Sequence, residues 1–282
     1  MNMNIKRFLS FVKIEHTVFD LPFAYTGMIL YGRFTFITFI LITVAGVSAR
    51  VAGMVINRVE DYDLDRINPR TMKRELVTGE IGFREAYAII LVSSIIFELS
   101  AIMLNTLSGL LAPILLFLFY IYPKTKKIPF ISHLFLGFTI GVIAIAGYIG
   151  ASGKIPYLPD VYYMAIFLTF WIGGFDIIYQ NQDRLFDEKV GIKSIPVIFK
   201  GKIIIPLLTF YIISSIFLFL FSYGHILRLI LFIPAMILLF SRLCFINSWS
   251  VDRIFYFDIP IPFLILISII IEKLNILQLF NL

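Results

Sequence analysis

The sequence alternates between long apolar runs and short polar connections. A helix that crosses a membrane needs roughly 20 apolar residues, because the hydrocarbon core is about 30 Å thick and each helical residue rises about 1.5 Å. Several runs between charged or turn-forming breaks approach this length. The pattern predicts nine transmembrane helices, near residues 14–32, 35–57, 84–104, 107–122, 131–151, 161–181, 203–222, 225–246 and 256–273.

The composition indicates the same class of protein. Hydrophobic residues make up 60% of the 282 residues and charged residues 15%, and the mean hydropathy is +0.93. A typical soluble domain carries about 25% charged residues, so this chain has too few polar side chains to cover a surface that faces water. The composition therefore excludes a soluble enzyme, a disordered chain and a nucleic-acid-binding domain. It predicts an all-α, multi-pass protein that lies in a lipid bilayer.

The distribution of basic residues predicts the orientation. If the N-terminus lies inside, the inner segments hold nineteen of the 24 Lys and Arg residues. Cytoplasmic loops carry such an excess of basic residues, so we expect the charged connections 58–83, 123–130 and 182–202 to face the cytoplasm, with the protein in the cell's inner membrane. The net charge of +6 then reflects loops that face anionic lipid. We expect the functional residues in these loops.

The first acidic segment follows the second predicted span. Asn57, Asp61 and Asp65 are spaced four residues apart, so they lie on one face if the helix continues. Three oxygen donors in a row suit Mg²⁺, which takes one or two carboxylates and leaves its other positions to water and phosphate. Arg50 lies two turns earlier on the same face, and an Asn-Pro pair after the segment presents Arg70.

A second acidic segment follows the sixth predicted span. Asp183 is seven residues after Asp176, and Asp187 is four residues after Asp183, so these carboxylates also share a helix face. A single Asp in a loop is usually only solvated, but two aligned sets at equivalent helix ends indicate a joint role. Metal ions and nearby Lys or Arg neutralise oxyanions in diphosphate chemistry. The two segments therefore predict a phosphate site held through metal.

Both acidic segments belong to longer motifs. The first motif runs through Asn57–Asp65 and Asn-Pro-Arg-Thr at 68–71, and the second runs through Asp183–Ser194. Together they resemble the two aspartate-rich motifs of the UbiA superfamily of intramembrane aromatic prenyltransferases. Residues 13–19 and 122–127 resemble the basic opening of that family's first helix and its tyrosine-and-lysine loop.

The resemblance implies a fold of nine helices in one domain, 1–282, around a central cavity. Residues 1–130 would form the first aspartate-rich half, and residues 131–282 the second half with the ninth helix. Short helical loops would cap the cytoplasmic end, and a side opening would admit a long prenyl chain from the lipid.

The resemblance also implies a reaction and its residues. A polyprenyl group would move from its diphosphate to an aromatic acceptor through an allylic cation, with Mg²⁺ as cofactor. Asn57, Asp61 and Asp65 are expected to bind one Mg²⁺. Asp183 and Asp187 are expected to bind a second, and the four aspartates are the expected catalytic residues. The expected substrate-binding residues are Arg50, Arg70, Lys126, Lys127, Lys189, Lys13, Tyr122, Tyr179 and Asp176.

The acceptor is left open by the sequence. Arg58 follows Asn57, where many family members carry Asp. This form resembles the 4-hydroxybenzoate polyprenyltransferase-like branch, which includes menaquinone enzymes of the futalosine route. The resemblance therefore implies quinone biosynthesis with a 4-hydroxybenzoate-like or naphthoate acceptor, and a glyceryl phosphate or haem acceptor is the alternative within the superfamily.

A transporter or channel is the alternative from another class, because many spans and intramembrane polar residues are typical of both. Carriers place their substrate sites near the membrane midplane. The acidic residues here cluster at one membrane face, which favours the enzyme.

Overall fold

The computed structural model of the protein describes residues 5–126, 128, 131–246 and 248–274. Within these ranges the chain forms helices, turns and loops, and it contains no β-strand. The helices are α1 (Ile5–Val12), α2 (Ile14–Tyr31), α3 (Phe36–Glu60), α4 (Tyr62–Asp65), α5 (Phe83–Leu104), α6 (Thr106–Thr125), α7 (Ile131–Ser152), α8 (Pro159–Asn181), α9 (Arg184–Lys189), α10 (Ile195–Ile198), α11 (Ile204–Ser222), α12 (Ile226–Phe245), α13 (Val251–Asp258) and α14 (Pro260–Lys273).

Eight segments of the described chain are long and apolar enough to cross a membrane. They are α3, α5, α6, α7, α8, α11, α12 and the α13–α14 pair taken together. This result confirms the predicted all-α membrane protein. The predicted span near 14–32 corresponds to α2, which carries Glu15, His16 and Asp20 and is not among the eight segments. The predicted count of nine spans is therefore not confirmed, and neither is the predicted cap.

The turn between α5 and α6 shows how a polar residue fixes the packing of apolar helices. The Asn105 side-chain oxygen caps α6 by accepting a 2.9 Å hydrogen bond from the Ser108 amide. Its side-chain nitrogen donates to the backbone oxygens of Ile149 and Gly150 in α7, at 2.9 and 3.1 Å. Backbone groups at helix ends need such partners, because lipid offers none. Asn105 therefore holds the α5–α6 turn against α7.

Glycines allow α2, α7 and α8 to pack closely. A Cβ atom at Gly27 would lie 1.9 Å from the Ala144 oxygen, and one at Gly137 would lie 1.9 Å from the Thr169 oxygen. Helices in lipid associate through such close van der Waals contacts at small residues. The largest hydrophobic core surrounds these contacts and includes Trp171, which is fully buried. The packing fixes α7 and α8 as one wall of a central cavity.

The cavity has a volume of about 610 Å³ and lies among α2, α3, α5, α6, α7 and α8. Its lining along α7 runs from Ser132 to Ile149, which at about 1.5 Å per residue is about 26 Å. At the end where α3 and α8 finish, Asp61, Asp65 and Asp183 line the cavity, and we call this the polar end. Mostly apolar side chains line the remainder. The cavity thus combines a charged end with a long apolar body.

Candidate active site at the polar end of the cavity

The first acidic segment continues the helical path of α3. The Asp61 amide donates to the Asn57 oxygen at 3.0 Å, and the Asp65 amide donates to the Asp61 oxygen at 2.8 Å. These i to i−4 bonds place the three side chains on one face, as their spacing predicts, and all three line the cavity. Asp63, between them in sequence, has a side chain that is 86% exposed. The segment therefore presents only one face to the site.

The second acidic segment is built at the end of α8. Asp176 lies within α8, and Asp183 is the residue that precedes α9. The Asp187 amide donates to the Asp183 oxygen at 2.8 Å, so a helical turn again separates two carboxylates. All three side chains line the same cavity as the first segment. The two acidic segments thus meet in one space, as the sequence predicts.

Arg70 and Asn68 join the two segments through Asp183. The Arg70 guanidinium donates to both Asp183 oxygens, with Nε 2.7 Å from Oδ1, and Nη1 donates to the Tyr179 hydroxyl at 3.2 Å. The Asn68 amide donates to Asp183 Oδ1 at 2.9 Å. Burial raises the pKa of Asp183, but these hydrogen bonds outweigh burial and hold that pKa below its usual value. Burial lowers the pKa of Arg70, but its bonds to Asp183 raise it overall.

Basic side chains also neutralise the first segment. Lys126, at the end of α6, donates from Nζ to Asp61 and lies 3.4 Å from Asn57 Oδ1. Arg74 donates from Nη1 to both Asp65 oxygens, at 2.7 and 2.5 Å. Each of these aspartates is less than 9% exposed, so an unpaired charge there would be costly. These pairs compensate the buried charges of the first acidic segment.

Asp187 has much weaker partners. It accepts hydrogen bonds from Gln180 Nε2 at 3.2 Å and from Ser194 Oγ at 3.5 Å. Within the described ranges it has no ion pair with Lys or Arg. Burial, and then the negative charge of Asp183, raise the pKa of Asp187 to about 6. A buried carboxylate with so little compensation is suited to receive a cation.

Asp176 is paired with a histidine. His133 in α7 is fully buried, and its Nδ1 lies 2.7 Å from Asp176 Oδ2. The Ile195 amide, at the start of α10, donates to the opposite ring nitrogen, Nε2, at 3.4 Å. His133 therefore links α7, α8 and the segment that follows the second acidic segment.

Three further residues that the sequence predicts for the site, Arg50, Lys13 and Tyr122, line the cavity. Arg50 Nη1 lies 3.4 Å from Asp20 Oδ2, and both residues line the cavity. Lys13 lies between α1 and α2 with φ 51°, lines the cavity and pairs with Glu15 at 3.5 Å. Tyr122 lines the cavity with Lys126 Nζ 5.4 Å from its ring centroid.

Two expected substrate-binding residues are not brought into the site by the structure. Lys189, at the end of α9, is exposed and does not line the cavity. Lys127 lies outside the described residues. The roles expected for both remain predictions.

The predicted site residues leave out several side chains that line the cavity or bind a residue there, although Asn68 belongs to the first motif: among them are Asp20, Asn68, Arg74 and His133. Asn68 and Arg74 follow the first acidic segment in the same connection, so their proximity in sequence was the available signal. Asp20 and His133 lie in apolar helices, where a polar side chain is costly and so indicates a partner. Neither signal identifies that partner.

The charge balance of the cavity tests whether a metal ion fits. Among the described residues that line it, eight are Asp and six are Lys or Arg. The cavity therefore has two more acidic than basic side chains, and a diphosphate would add further negative charge. No three His, Cys, Asp or Glu side chains in the described ranges are grouped closely enough to hold a metal ion in this arrangement. The oxygen donors and the negative excess nevertheless suit Mg²⁺.

These observations define the protein as an integral membrane protein with a charged site at one end of an intramembrane apolar cavity. The model of the UbiA prenyltransferase family matches residues 21–257. The chain belongs to this family.

Individual relatives agree with the family. The 4-hydroxybenzoate octaprenyltransferase of Francisella tularensis subsp. novicida (strain U112) is 29% identical over 179 residues, which are 64% of this chain and 62% of that protein. The matched part thus spans less than two thirds of the relative. The apo structure of a UbiA homolog from Aeropyrum pernix K1 is 32% identical with a TM-score of 0.82, over 92% of this chain and 98% of that chain.

A more distant solved structure shares the fold. A UbiA homolog from Archaeoglobus fulgidus bound to GPP and Mg²⁺ has a TM-score of 0.71 and 19% identity, over 93% of this chain and 99% of that chain. At this identity the likeness shows the fold alone.

Proposed function

We propose that the protein transfers a polyprenyl group from its diphosphate to an aromatic acceptor, 4-hydroxybenzoate or a similar compound, in quinone biosynthesis. One observation carries the proposal: the two acidic segments line one end of a cavity whose apolar body continues for about 26 Å along α7. A polyprenyl diphosphate has the same division, with an anionic head and a long apolar tail.

The apolar body of the cavity suits the prenyl tail. Leu104 in α5, Leu111 and Ile114 in α6, and Val142 and Ile149 in α7 line it. These side chains offer no hydrogen bonds, so they favour a hydrocarbon over a polar ligand. The tail would lie along α6 and α7, and its diphosphate would reach the polar end.

The metal cofactor would be held by the two acidic segments. Asn57, Asp61 and Asp65 would bind Mg²⁺ on one side of the diphosphate, and Asp183 and Asp187 on the other. When bound, Mg²⁺ neutralises the diphosphate oxygens and so makes the diphosphate a better leaving group. The structure of a fold relative with GPP and Mg²⁺ supports this cofactor.

Lys126 and Arg70 exchange partners in the proposed reaction. In the structure they neutralise Asp61 and Asp183. With donor present, their positive charges would turn to the diphosphate oxygens, which releases the carboxylate oxygens for metal. The same side chains would then stabilise the leaving group during reaction. Lys127 and Lys189 are proposed to add positive charge nearby.

Tyr122 and Tyr179 are proposed to stabilise the allylic cation. Arg70 lies 5.0 Å from the Tyr179 ring centroid, and Lys126 lies 5.4 Å from that of Tyr122. Both rings line the cavity and already accept a cation at these distances. A cation over an aromatic face gains about 0.5–2 kcal/mol.

The acceptor would enter beside Arg50 and Lys13. Both cations line the cavity. Their ion pairs with Asp20 and Glu15 are long, at 3.4 and 3.5 Å, so each would turn to the carboxylate of the acceptor. The name of the Francisella relative supports 4-hydroxybenzoate as the acceptor. We propose further that the polar end faces the cytoplasm of the inner membrane, because the basic connections follow the positive-inside pattern.

A transfer assay tests the proposal. Purified protein receives Mg²⁺, a polyprenyl diphosphate and one acceptor from a panel of 4-hydroxybenzoate, a naphthoate, a glyceryl phosphate and haem. The expected result is prenylated 4-hydroxybenzoate with one diphosphate released per product. Prenylation of another compound of the panel would identify a different acceptor and would still support prenyl transfer. Uptake of substrate into sealed liposomes without bond cleavage would contradict the proposal in favour of a transporter.

A further inference from the structure

Asp176 is held differently from the paired aspartates of the two acidic segments. Its side chain is 13% exposed and lines the cavity, and His133 is its sole hydrogen-bond partner among the residues that the structure describes. Oδ2 receives that bond, so Oδ1 can accept a proton from a ligand in the cavity. An available carboxylate oxygen thus belongs to the cavity in which transfer is proposed to occur.

The partners of His133 fix its tautomer. A backbone amide can only donate, so the Ile195 amide requires Nε2 of His133 to be the acceptor. The ring hydrogen is then on Nδ1, which donates to Asp176 Oδ2 at 2.7 Å. In this arrangement His133 Nδ1 is the donor and the Asp176 carboxylate is the acceptor.

Asp176 differs from three other aspartates of the site because no Lys or Arg of the described residues pairs with it, and it differs from Asp187 because it is not an expected metal ligand. Asp61, Asp65 and Asp183 are each bound by a Lys or Arg side chain. A positive charge at hydrogen-bond distance stabilises a carboxylate against protonation. In the described residues Asp176 has only the hydrogen bond with His133, so no Lys or Arg has to leave its carboxylate before a substrate proton can reach it.

We propose that Asp176 accepts the proton that the aromatic ring loses during transfer, and that His133 is its positioning residue. The assignment rests on the proposed function, because it requires an aromatic acceptor. The C–O bond of the donor breaks, and its electron pair leaves with diphosphate. A ring carbon next to the acceptor hydroxyl bonds to the allylic cation. The C–H electron pair then restores the ring, the proton moves to Asp176 Oδ1, and it passes on to the released diphosphate.

Deuterium on the acceptor tests the assignment. The acceptor is 4-hydroxybenzoate that carries deuterium at both ring carbons next to the hydroxyl, and product formation is compared with the unlabelled compound. Asp176→Asn keeps the size of the side chain but removes a good proton acceptor. We expect product formation to fall by at least about 100-fold. We also expect its isotope effect to exceed the wild-type value, because proton removal then limits the rate.

Variants of His133 separate positioning from folding. His133→Gln keeps one donor and one acceptor, whereas His133→Phe keeps neither. We expect the loss of rate and the rise in isotope effect to be smaller for Gln than for Phe. A wild-type Tm in detergent shows that each variant folds, and Asp63→Asn, outside the cavity, is the control.

Two outcomes would overturn the assignment. In the first, the Asp176→Asn variant forms product slowly but its isotope effect equals that of the wild type, which would mean that Asp176 binds substrate and does not accept the proton. In the other, Asp176→Asn forms product at the wild-type rate. Failure of the proposed function is distinguishable, because the wild type itself then prenylates no aromatic acceptor, and the assignment fails with it.

Discussion

The side-chain amide of Asn68 donates a 2.9 Å hydrogen bond to Asp183, which lies 115 residues later in the chain. Asn68 is buried just after the first acidic segment, and Asp183 belongs to the second. Arg70 binds the same carboxylate, and its amide donates to Asn68 Oδ1 at 2.9 Å. One turn therefore joins the two acidic segments into a single site.

Removing this link should impair the site. Asn68→Ala deletes a hydrogen bond to a charged group, worth about 1.5–3 kcal/mol, so kcat/KM for the prenyl diphosphate should fall about ten- to hundred-fold. Steady-state transfer by the purified variant measures this. Asn181→Ala is the matched control, because no described residue offers a hydrogen bond to the Asn181 side-chain oxygen and Asn181 is not among the lining residues of the cavity. Equal losses in both variants would contradict the role of Asn68.

Arg70 should not be replaceable by lysine. Its guanidinium binds both Asp183 oxygens and Tyr179 at once, and an ammonium cannot reproduce this geometry. We expect Arg70→Lys to lower kcat/KM for the donor by at least about tenfold. Arg66→Lys is the control, since Arg66 is exposed and its ion pair in the described part of the chain is with the exposed Asp63, at 3.6 Å. If Arg70→Lys has the same kcat/KM for the donor as the wild type, a positive charge at position 70 is sufficient and the guanidinium geometry is not required.

Mg²⁺ affinity should depend on pH through Asp187. Its pKa is raised to about 6, so the carboxyl is mostly charged at pH 7 and mostly neutral at pH 5. A metal ligand must be deprotonated, so affinity should be highest above pH 7 and fall by up to about tenfold per pH unit below 6. Calorimetric Mg²⁺ titration between pH 5 and 8 measures it. The Asp187→Asn variant should bind Mg²⁺ more weakly than the wild type at pH 7, and its affinity should depend less on pH. If the variant shows the same pH dependence of Mg²⁺ affinity as the wild type, the assignment to Asp187 is wrong.

The contact between α2 and α7 should be sensitive to a single methyl group. A Cβ at Gly27 would lie 1.9 Å from the Ala144 oxygen, which belongs to the backbone and cannot move aside alone. Gly27→Ala should therefore destabilise the protein by about 1–3 kcal/mol and lower its Tm in detergent. Gly82→Ala is the control, because the nearest atom to its Cβ would lie at 3.9 Å. An unchanged Tm for Gly27→Ala would mean that the helices lie farther apart.

The local geometry of the site could be predicted from the sequence. Asn57, Asp61 and Asp65 share a face because helical periodicity depends only on their spacing, and the i to i−4 bonds confirm it. The convergence of both acidic segments also followed from their equivalent places at helix ends. The membrane class followed from composition.

The partners of the aspartates could not be predicted. Lys126 reaches Asp61 across 65 residues, and His133 reaches Asp176 across 43. Such pairs depend on how helices pack, which spacing along the chain does not determine. The sequence predicts metal as the partner of the acidic side chains, but it does not predict which Lys or Arg neutralises Asp61, Asp65 and Asp183 in the structure.

The most direct test of the central claim is the Mg²⁺ dependence of diphosphate release from a polyprenyl diphosphate. The assay compares the wild type with the double variant Asp61→Asn, Asp183→Asn, and uses Asp63→Asn as the control because that side chain is exposed. We expect rapid release by the wild type and the control with Mg²⁺. We expect a loss of at least about 100-fold with EDTA or in the double variant. Wild-type release by the double variant, or by the wild type in EDTA, would contradict the claim that the two acidic segments act together on one diphosphate through metal.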